Sequence, residues 1–496
     1  MDPLDLSRSR SGEPSTELKA LRQLADQAFA RAAGAPLVAG NAVRILKDAD
    51  ENFPAWREAI AAAKRSILFE SYIIGNDAVG REFVALLAER ARAGVRVRLL
   101  YDWLGTRTSS KLFRPLVDAG GEVRAFNPPR LDSPFGWLTR DHRKTIAIDG
   151  RIGFVTGLCA SSRWLGDPKR GLDPWRDTGI ELRGPAVADL ERAFADVWGV
   201  CGSPLPAAEL TPPETIGVAG EVELRVVASV PSSGGLFRLD QLVAAGARRR
   251  LWLTDAYFVG VTPYVQALCA AANDGVDVRL LVPGASDIPL VARLSRVGYG
   301  PLLESGVRVF EWNGSMLHAK TAIADDRWAR VGSTNLNLAS WLTNYELDVA
   351  VEDEEFAGRV AAMYEDDLAG STEIVLVRRR ARRAAAGTRA TGGYRRALSG
   401  SAGRAAAGAL SVGAAVGAAL TNRRVLEPAE ANLLMTTALV LLAVAVVAIV
   451  WPPLLAAPIA LLTGWVGIVM LLKARRLRRR RGRLADRGPG TIGPAQ

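Results

Sequence analysis

The chain of 496 residues contains two histidines, and both stand in the same short pattern, His-x-Lys-x-x-x-x-Asp. The two copies read "HRKTIAID" (142–149) and "HAKTAIAD" (318–325). An imidazole can act as a nucleophile or transfer a proton near neutral pH, and an ammonium group attracts phosphate oxygens. Each copy therefore predicts a phosphate-binding set with a proton-transfer group in it. The candidate catalytic residues are His142, Lys144, Asp149, His318, Lys320 and Asp325.

The second copy predicts a β-hairpin. His318 and Lys320 would share one face of a strand, because side chains alternate along it. The Asp-Asp pair that ends the pattern is a turn signal, and the chain then returns as "RWARVGSTN" (327–335). The return would bring residue 333 roughly opposite His318, so that Ser333 and Asn335 border the His/Lys face. These two residues are the predicted phosphate-binding neighbours.

The first copy departs from the second at the matching positions. Thr156, Gly157 and Cys159 stand where the second copy has Gly332, Ser333 and Asn335. A single histidine is more often a structural residue, and a short pattern can arise by chance. Two copies at corresponding places of a repeat, which use every histidine of the chain, favour a functional site.

The repeat extends through the body of the chain. Residues 56–101 and 243–282 each pair a short apolar run with a helical pattern and a second apolar run. Strand and helix then alternate, which predicts layered α/β halves with a largely parallel sheet. The predicted strands are Ile67–Phe69, Val95–Leu100, Leu251–Leu253 and Val276–Val282, with a helix over 80–94.

The predicted domain order follows from this repeat and from shifts in composition. The segments are an N-terminal helical segment (1–36), a first half (37–201), a linker (202–219), a second half (220–370), a basic Ala/Gly/Arg-rich linker (371–430), two apolar spans (431–472) and a basic tail (473–496).

Charge is divided unevenly along the chain. Residues 371–496 carry 20 Lys and Arg against 4 Asp and Glu, so residues 1–370 hold about −5 of the total formal charge of +11. An enzyme acting on nucleic acid is expected to be basic on its folded body, which counts against that substrate class. Three cysteines without paired or metal-like spacing predict neither a disulfide framework nor a zinc site. The N-terminus has no apolar core, so no signal peptide is expected.

The stretch 431–472 contains no charged residue. Two halves of about 20 residues (433–451 and 453–472), separated by two prolines, predict a pair of membrane-spanning helices. Both flanks are basic, so both should face the cytoplasm together with the catalytic body, at the bacterial inner membrane. The basic tail could also hold anionic lipid headgroups. A buried helical hairpin of a soluble domain is the alternative.

The two motifs resemble those of the phospholipase D superfamily, His-x-Lys-x4-Asp followed by Gly-Ser/Gly-x-Asn, and look most like its bacterial cardiolipin synthase branch. "SYIIGNDAVGREFVALLAERARAGVRVRLLYDWLGT" (71–106), "PWRDTGIELRGPAVADLERAFADVW" (174–198) and "DAYFVG" (255–260) carry the resemblance further, over about residues 40–370. The resemblance implies two α/β/α halves that share one active site. It also implies a ping-pong reaction on a phosphodiester through a phosphohistidine, with neither metal nor cofactor.

The resemblance also implies roles for particular residues. His142 would be the nucleophile and His318 the acid that protonates the leaving alcohol. The phosphoryl oxygens would be stabilised by Lys144, Lys320, Ser333 and Asn335. An acidic residue beyond each motif, Asp177 in "WRDTGIEL" and Glu346 in "TNYELDV", would orient an imidazole.

Three departures from the family pattern bear on the acceptor. Cys159 replaces the expected Asn, Ala339-Ser340 stands where many cardiolipin synthases have Arg-Ser, and the apolar spans follow the body where those enzymes often have them in front.

The sequence is compatible with several functions. A phosphatidyltransferase acting on phosphatidylglycerol at a membrane is the first reading, and a hydrolase that releases phosphatidic acid is the second. A nuclease is disfavoured by the charge division, so no nucleic acid is expected as a partner. A non-catalytic scaffold is disfavoured because both His-Lys-Asp sets are complete.

Overall fold

The computed structural model of the protein describes residues 16–129 and 138–375, and parts of the stretch 439–472, chiefly 446–451 and 460–472. Of the described residues, 16–128 and 138–375 belong to one compact unit. This unit contains both motifs and is called the body below.

The body is built from strands and helices that alternate along much of the chain. The strands are β1 (Val38–Lys47), β2 (Ser66–Ser71), β3 (Arg96–Asp102), β4 (Glu122–Phe126), β5 (Lys144–Ile148), β6 (Ile152–Thr156), β7 (Thr178–Arg183), β8 (Val222–Ser229), β9 (Arg250–Thr254), β10 (Asp277–Pro283), β11 (Arg308–Trp312), β12 (Thr321–Ala324), β13 (Trp328–Gly332), β14 (Glu346–Glu352) and β15 (Ser371–Ile374). The helices are α1 (Thr16–Ala33), α2 (Asp48–Ala62), α3 (Ala78–Arg92), α4 (Trp103–Thr106), α5 (Arg114–Asp118), α6 (Val187–Cys201), α7 (Gly235–Gly246), α8 (Thr262–Asn273), α9 (Pro289–Val297), α10 (Tyr299–Glu304), α11 (Leu338–Leu342) and α12 (Glu354–Ala369).

The strands join into one sheet that repeats its own order. The order is β15-β11-β10-β9-β12-β13-β14-β8-β1-β7-β6-β5-β2-β3-β4. Outward from the antiparallel β1–β8 contact, each half places its seven matching strands in the same sequence, and β15 is added at one edge. The predicted two-half α/β fold is therefore confirmed.

The sheet is mixed, which corrects the prediction of a largely parallel one. Only β2-β3-β4 and β9-β10-β11 pair in parallel. The motif strands β5-β6-β7 and β12-β13-β14 pair antiparallel. Three-residue turns join β5 to β6 and β12 to β13, and so short a turn can connect only antiparallel neighbours.

The predicted strands and the predicted helix are confirmed with small shifts at their ends. Every residue of β2 is buried, as expected for a strand covered on both faces. Helix α3 begins after Asp77, whose side chain accepts a hydrogen bond from Gly80 N, and buries one apolar face that includes Phe83 and Leu87.

Three hydrophobic clusters hold the layers together. One lies under α2 and α3 in the first half, and another under α7 and α8 in the second half. The third contains α6 of the first half and α12 of the second, together with residues from strands of both. This shared cluster joins the halves, so neither half carries a complete core of its own.

The segments beyond 370 depart in part from their predicted roles. β15 pairs antiparallel with β11, so the predicted linker at 371–430 begins with a strand. The rest of that linker and the basic tail lie outside the described residues, as does part of the predicted helix pair. Residues 446–450 and 460–472 are helical. Within the described part of the chain, no helix is both long and apolar enough to cross a membrane.

Candidate active site

Both histidines line one cavity of about 440 Å³ in the body. His142 stands two residues before β5, and His318 stands three residues before β12. Other cavity residues come from both halves, including Lys144 and Cys159 from the first half and Asn335 from the second. The structure therefore brings together the two imidazoles that lie 176 positions apart in the chain.

The predicted hairpin of the second motif is confirmed. Strand β12 pairs antiparallel with β13 around a turn at Asp325-Asp326, both of which have positive φ. The backbone N of Gly332 donates to the carbonyl of Lys320 at 3.3 Å, so residue 333 returns beside residue 319, one position from the expected register. The first motif forms the equivalent hairpin of β5 and β6.

The two motif aspartates lie away from the cavity, which corrects their assignment as catalytic. Asp149 follows the far end of β5, roughly 20 Å along the strand from His142. Its carboxylate accepts hydrogen bonds from the backbone N–H groups of Lys64, Arg65 and Ser66 at 2.7–2.9 Å. Asp325 accepts from Arg248, Arg249 and Arg250 in the same way. Each aspartate clamps the start of the neighbouring strand.

Each histidine is oriented by an acid from the opposite half. Nδ1 of His142 lies 2.9 and 3.1 Å from the two carboxylate oxygens of Glu346. Nδ1 of His318 lies 2.8 Å from Oδ2 of Asp177. A carboxylate only accepts, so each Nδ1 carries the proton and each Nε2 keeps its lone pair. Both predicted acids are thus in contact with an imidazole, in a crossed arrangement.

Backbone hydrogen bonds fix this crossing. His142 N donates to the carbonyl of Tyr345 at 2.9 Å, and Tyr345 N donates to the carbonyl of Arg140 at 2.8 Å. The second half repeats the pattern, because His318 N donates to the carbonyl of Arg176 at 2.7 Å. Tyr345 and Arg176 directly precede the two orienting acids. Each histidine segment is therefore tied to the strand that carries its acid.

The other predicted phosphate-binding residues separate into two groups. Asn335 lines the cavity, and its Oδ1 makes no hydrogen bond within the described residues. Ser333 is fully buried, and its hydroxyl donates to Oε2 of Glu346 at 2.6 Å. The structure thus corrects the place of Ser333, which holds the orienting acid. Cys159 lines the first-half side of the cavity and is buried.

Both lysines lie beside their histidines. Nζ of Lys144 donates to the carbonyl of His142, and Nζ of Lys320 donates to the carbonyl of His318. Nζ of Lys320 also lies 3.0 Å from Nδ1 of His318. Because that Nδ1 carries the proton that it donates to Asp177, it cannot accept a hydrogen bond from Lys320. The contact between Nζ and Nδ1 is therefore electrostatic only.

Comparison with known proteins gives the family. Residues 56–198 and 242–368 match the family described as "Cardiolipin synthase, PLD-like domain". Cardiolipin synthase A of Pseudomonas aeruginosa is 37% identical over 351 residues, which cover 70% of this chain and 71% of that protein. The chain belongs to the phospholipase D-like cardiolipin synthase family. A cardiolipin synthase of Geobacillus is 34% identical over 346 residues, which cover 68% of this chain and 68% of that protein.

A solved structure shares the fold. Phosphatidylserine synthase from Haemophilus influenzae superposes with a TM-score of 0.57 at 15% identity, over 70% of this chain and 91% of that one. Family membership makes the chain a phosphatidyltransferase of the phospholipase D type that acts on phospholipid.

The electrostatics of this phosphatidyltransferase disfavour the charged form of both imidazoles. Burial lowers the pKa of His142, and burial together with Lys320 lowers that of His318 to about 3. Burial also lowers the pKa of Lys320 to about 8. Burial works to raise the pKa of Glu346 and of Asp177, but the facing imidazole and its hydrogen bond outweigh it and hold both below their usual values.

Aromatic residues around the histidines were missed from the sequence. Rings of Trp164, Trp175 and Tyr257 lie 5.5–5.7 Å from the His318 ring, whereas Tyr72 lies 4.8 Å from that of His142. Nε1 of Trp164 also donates to Oδ2 of Asp177 at 2.8 Å. Tyr72 directly follows β2, and Tyr257 stands three residues after the end of β9. Ligand sites of parallel strands are expected at these strand ends, so the sequence carries this signal.

Three arginines of the first half also line the cavity, namely Arg107, Arg140 and Arg163. Among residues 16–129 and 138–375, no group of three or more His, Cys, Asp or Glu side chains is arranged to hold a metal ion.

Proposed function

We propose that the protein transfers the phosphatidyl group of one phosphatidylglycerol to a hydroxyl of a second, forming cardiolipin and releasing glycerol. The observation that carries the proposal is the pair of imidazoles in one cavity, each oriented through Nδ1 by a buried acid of the opposite half. Two free Nε2 atoms on either side of a phosphate suit in-line displacement with one nucleophile and one acid.

In the first step, Nε2 of His142 attacks phosphorus while the P–O bond to the leaving glycerol breaks. His318 gives its proton to the departing oxygen. Burial and the neighbouring Lys320 hold the pKa of His318 at about 3, which favours the neutral ring until substrate binds. The substrate phosphodiester brings a negative charge beside the ring, which favours the charged imidazolium and raises its pKa.

In the second step, His318 takes the proton from the incoming hydroxyl. The hydroxyl oxygen attacks phosphorus, the P–N bond to His142 breaks, and Nε2 recovers its lone pair. Lys144 and Asn335, which line the cavity, and the buried Lys320 supply positive charge and a donor for the phosphoryl oxygens.

Water in place of the second lipid would give phosphatidic acid by the same steps. This hydrolase is the second candidate function, since the cavity geometry alone does not choose the acceptor. A nuclease is disfavoured by the formal charge of about −5 on residues 1–370.

The proposal places the enzyme at the bacterial inner membrane with its body on the cytoplasmic side. The charge-free stretch 431–472 supports a helical hairpin, and the arginines on both flanks support this orientation. Protease digestion of intact spheroplasts tests it: the body should stay protected, and cleavage from outside would contradict the orientation.

The test uses the purified, detergent-solubilised full chain with phosphatidylglycerol. His142→Ala and His318→Ala are assayed beside wild type, with Val200→Ala on α6 as a control outside the cavity. Wild type and control should form cardiolipin and glycerol in equal amounts, and both histidine variants should lose activity by at least about 10³-fold. Phosphatidic acid as the main product would establish the hydrolase. Equal turnover in all four proteins would contradict both.

A further inference from the structure

Helix α9 in the second half does not contribute to the core. Its apolar side chains include Leu290, Val291, Leu294 and Val297, yet Ser295 is its one buried residue. None of its residues belongs to the three hydrophobic clusters of the body. A helix of nine residues is marginal in water unless an apolar face is packed. Leu290 is exposed, and Val291, Leu294 and Val297 are only half-buried.

Each half packs part of this connection in its core. Between β3 and β4, Leu112, Phe113 and Leu116 are all buried in the cluster under α2 and α3. Between β10 and β11, Tyr299 and Leu302 of α10 are buried in the cluster under α7 and α8. Helix α9 is the part of its connection that stays outside the core.

α9 lies at the mouth of the active-site cavity. Ile288 and Val291 line the cavity, and Leu290 between them is 62% exposed. Leu104 of α4 lines the same cavity, and its neighbour Trp103 is 37% exposed. These five residues are called the apolar rim below.

Cations border the apolar rim. Arg107 and Arg163 line the cavity with exposed side chains, and Arg293 is exposed on α9. None of the three forms a side-chain ion pair with another described residue. Apolar side chains beside unpaired cations are the composition of a surface that binds a bilayer with anionic headgroups.

The cavity is too small for a whole phospholipid. A volume of 440 Å³ corresponds to a sphere ~9 Å across, whereas one leaflet of hydrocarbon is ~15 Å thick. The glycerophosphate part of a lipid fits, but its acyl chains must stay outside. They can remain in the membrane only if the cavity mouth rests on the bilayer.

We infer that the apolar rim inserts into the headgroup layer of an anionic bilayer, so that substrate lipids enter the cavity while their chains stay in the membrane. The inference rests on the proposed phospholipid chemistry. It goes further by assigning α9 and α4 as the contact that delivers the substrate, separate from the proposed C-terminal anchor.

The first test compares two substrates with the full-length protein. One is long-chain phosphatidylglycerol in vesicles, and the other is dihexanoyl phosphatidylglycerol as monomers. Leu290→Glu should lower turnover in vesicles roughly tenfold, because a leucine that inserts into the bilayer is replaced by a charge. Turnover of monomers should stay within about twofold of wild type. The matched control is Val200→Glu on α6, where Val200 is 57% exposed and lines no cavity described above.

Two outcomes of that assay overturn the inference. An equal loss on both substrates would place Leu290 in catalysis or folding. Unchanged turnover on vesicles would show that the apolar rim does not bind the bilayer.

The second test needs no turnover. Leu290 is replaced by photoreactive benzoylphenylalanine, and the protein is irradiated in vesicles that contain labelled phospholipid. Lipid should crosslink at position 290 and not at position 200 in the matched protein. A crosslink to a second copy of the chain, or equal labelling at both positions, would contradict the inference. If wild type turned over no phospholipid while position 290 still crosslinked to lipid, the proposed function would fail and the docking surface would stand.

Discussion

The two halves repeat one fold but surround their histidines differently. His142 contacts both oxygens of its acid and a single aromatic ring. His318 contacts one oxygen of its acid, has Lys320 3.0 Å from the same nitrogen, and lies among three aromatic rings. Because each acid comes from the opposite half, a half alone would have a histidine without an orienting acid. Duplication thus supplied two imidazoles, and the different surroundings let them take different roles.

The largest effects should come from the orienting acids. Glu346→Gln and Asp177→Asn each remove the charge that fixes an imidazole, and each should lower kcat on phosphatidylglycerol roughly 10³-fold. A lipid with a nitrophenolate leaving group separates the roles, since that group departs without a proton. In a single-turnover assay of nitrophenolate release, it should restore much of the activity of Asp177→Asn, on the acid side, and little of that of Glu346→Gln, on the nucleophile side.

The opposite pattern of rescue would reverse the roles of His142 and His318. Equal rescue of both variants would show that the different surroundings do not produce different roles.

A smaller effect is expected from the residues that hold the two acids. Trp164 Nε1 donates to Asp177 and Ser333 Oγ donates to Glu346. Trp164→Phe and Ser333→Ala each remove one hydrogen bond to a carboxylate and should lower kcat roughly tenfold with little change in KM. The nitrophenolate lipid should rescue Trp164→Phe alone. A loss confined to KM, or a rescue shared by both variants, would mean that these residues act on binding or on folding.

The sequence predicted the parts of this site that depend on local pattern. The two histidines, the hairpin of β12 and β13, and both orienting acids were found from spacing and resemblance. The crossing of the acids was not, because it depends on the β1–β8 contact and on the shared cluster under α6 and α12. Those are packing results between segments more than a hundred residues apart, and no local pattern records them.

The motif aspartates show the opposite error. The fixed spacing of each aspartate from its histidine suggested a catalytic role. The strand that separates the two residues instead places the carboxylate at its far end, away from the cavity. A fixed spacing between two motif residues can therefore arise because they belong to one structural element, and not only because they belong to one active site.

The clamping role of these aspartates predicts a change in stability with little change in chemistry. Asp149→Ala and Asp325→Ala each leave three backbone N–H groups without their acceptor. Each should cost about 3 kcal/mol and lower Tm by about 5 °C, since the groups are partly open to water. Activity of the folded protein at 25 °C should stay within about twofold. A loss of 10²-fold at unchanged Tm would return these residues to the catalytic set.

The smallest effect is expected from a substitution that makes the two halves more alike. Cys159 stands where the second half has Asn335, and both line the cavity. Cys159→Asn nearly conserves volume, and the nearby Ser71 and the backbone of Ile73 offer polar partners for the new amide. The amide adds a donor on the first-half side of the phosphate, so kcat/KM for phosphatidylglycerol should rise about threefold. Cys159→Ser, which adds a shorter donor, is the control and should change kcat/KM less. A tenfold fall in kcat/KM of Cys159→Asn at unchanged Tm would mean that an amide on the first-half side of the cavity hinders the reaction. The mechanism would then require that only the second half supply an amide donor to the phosphate.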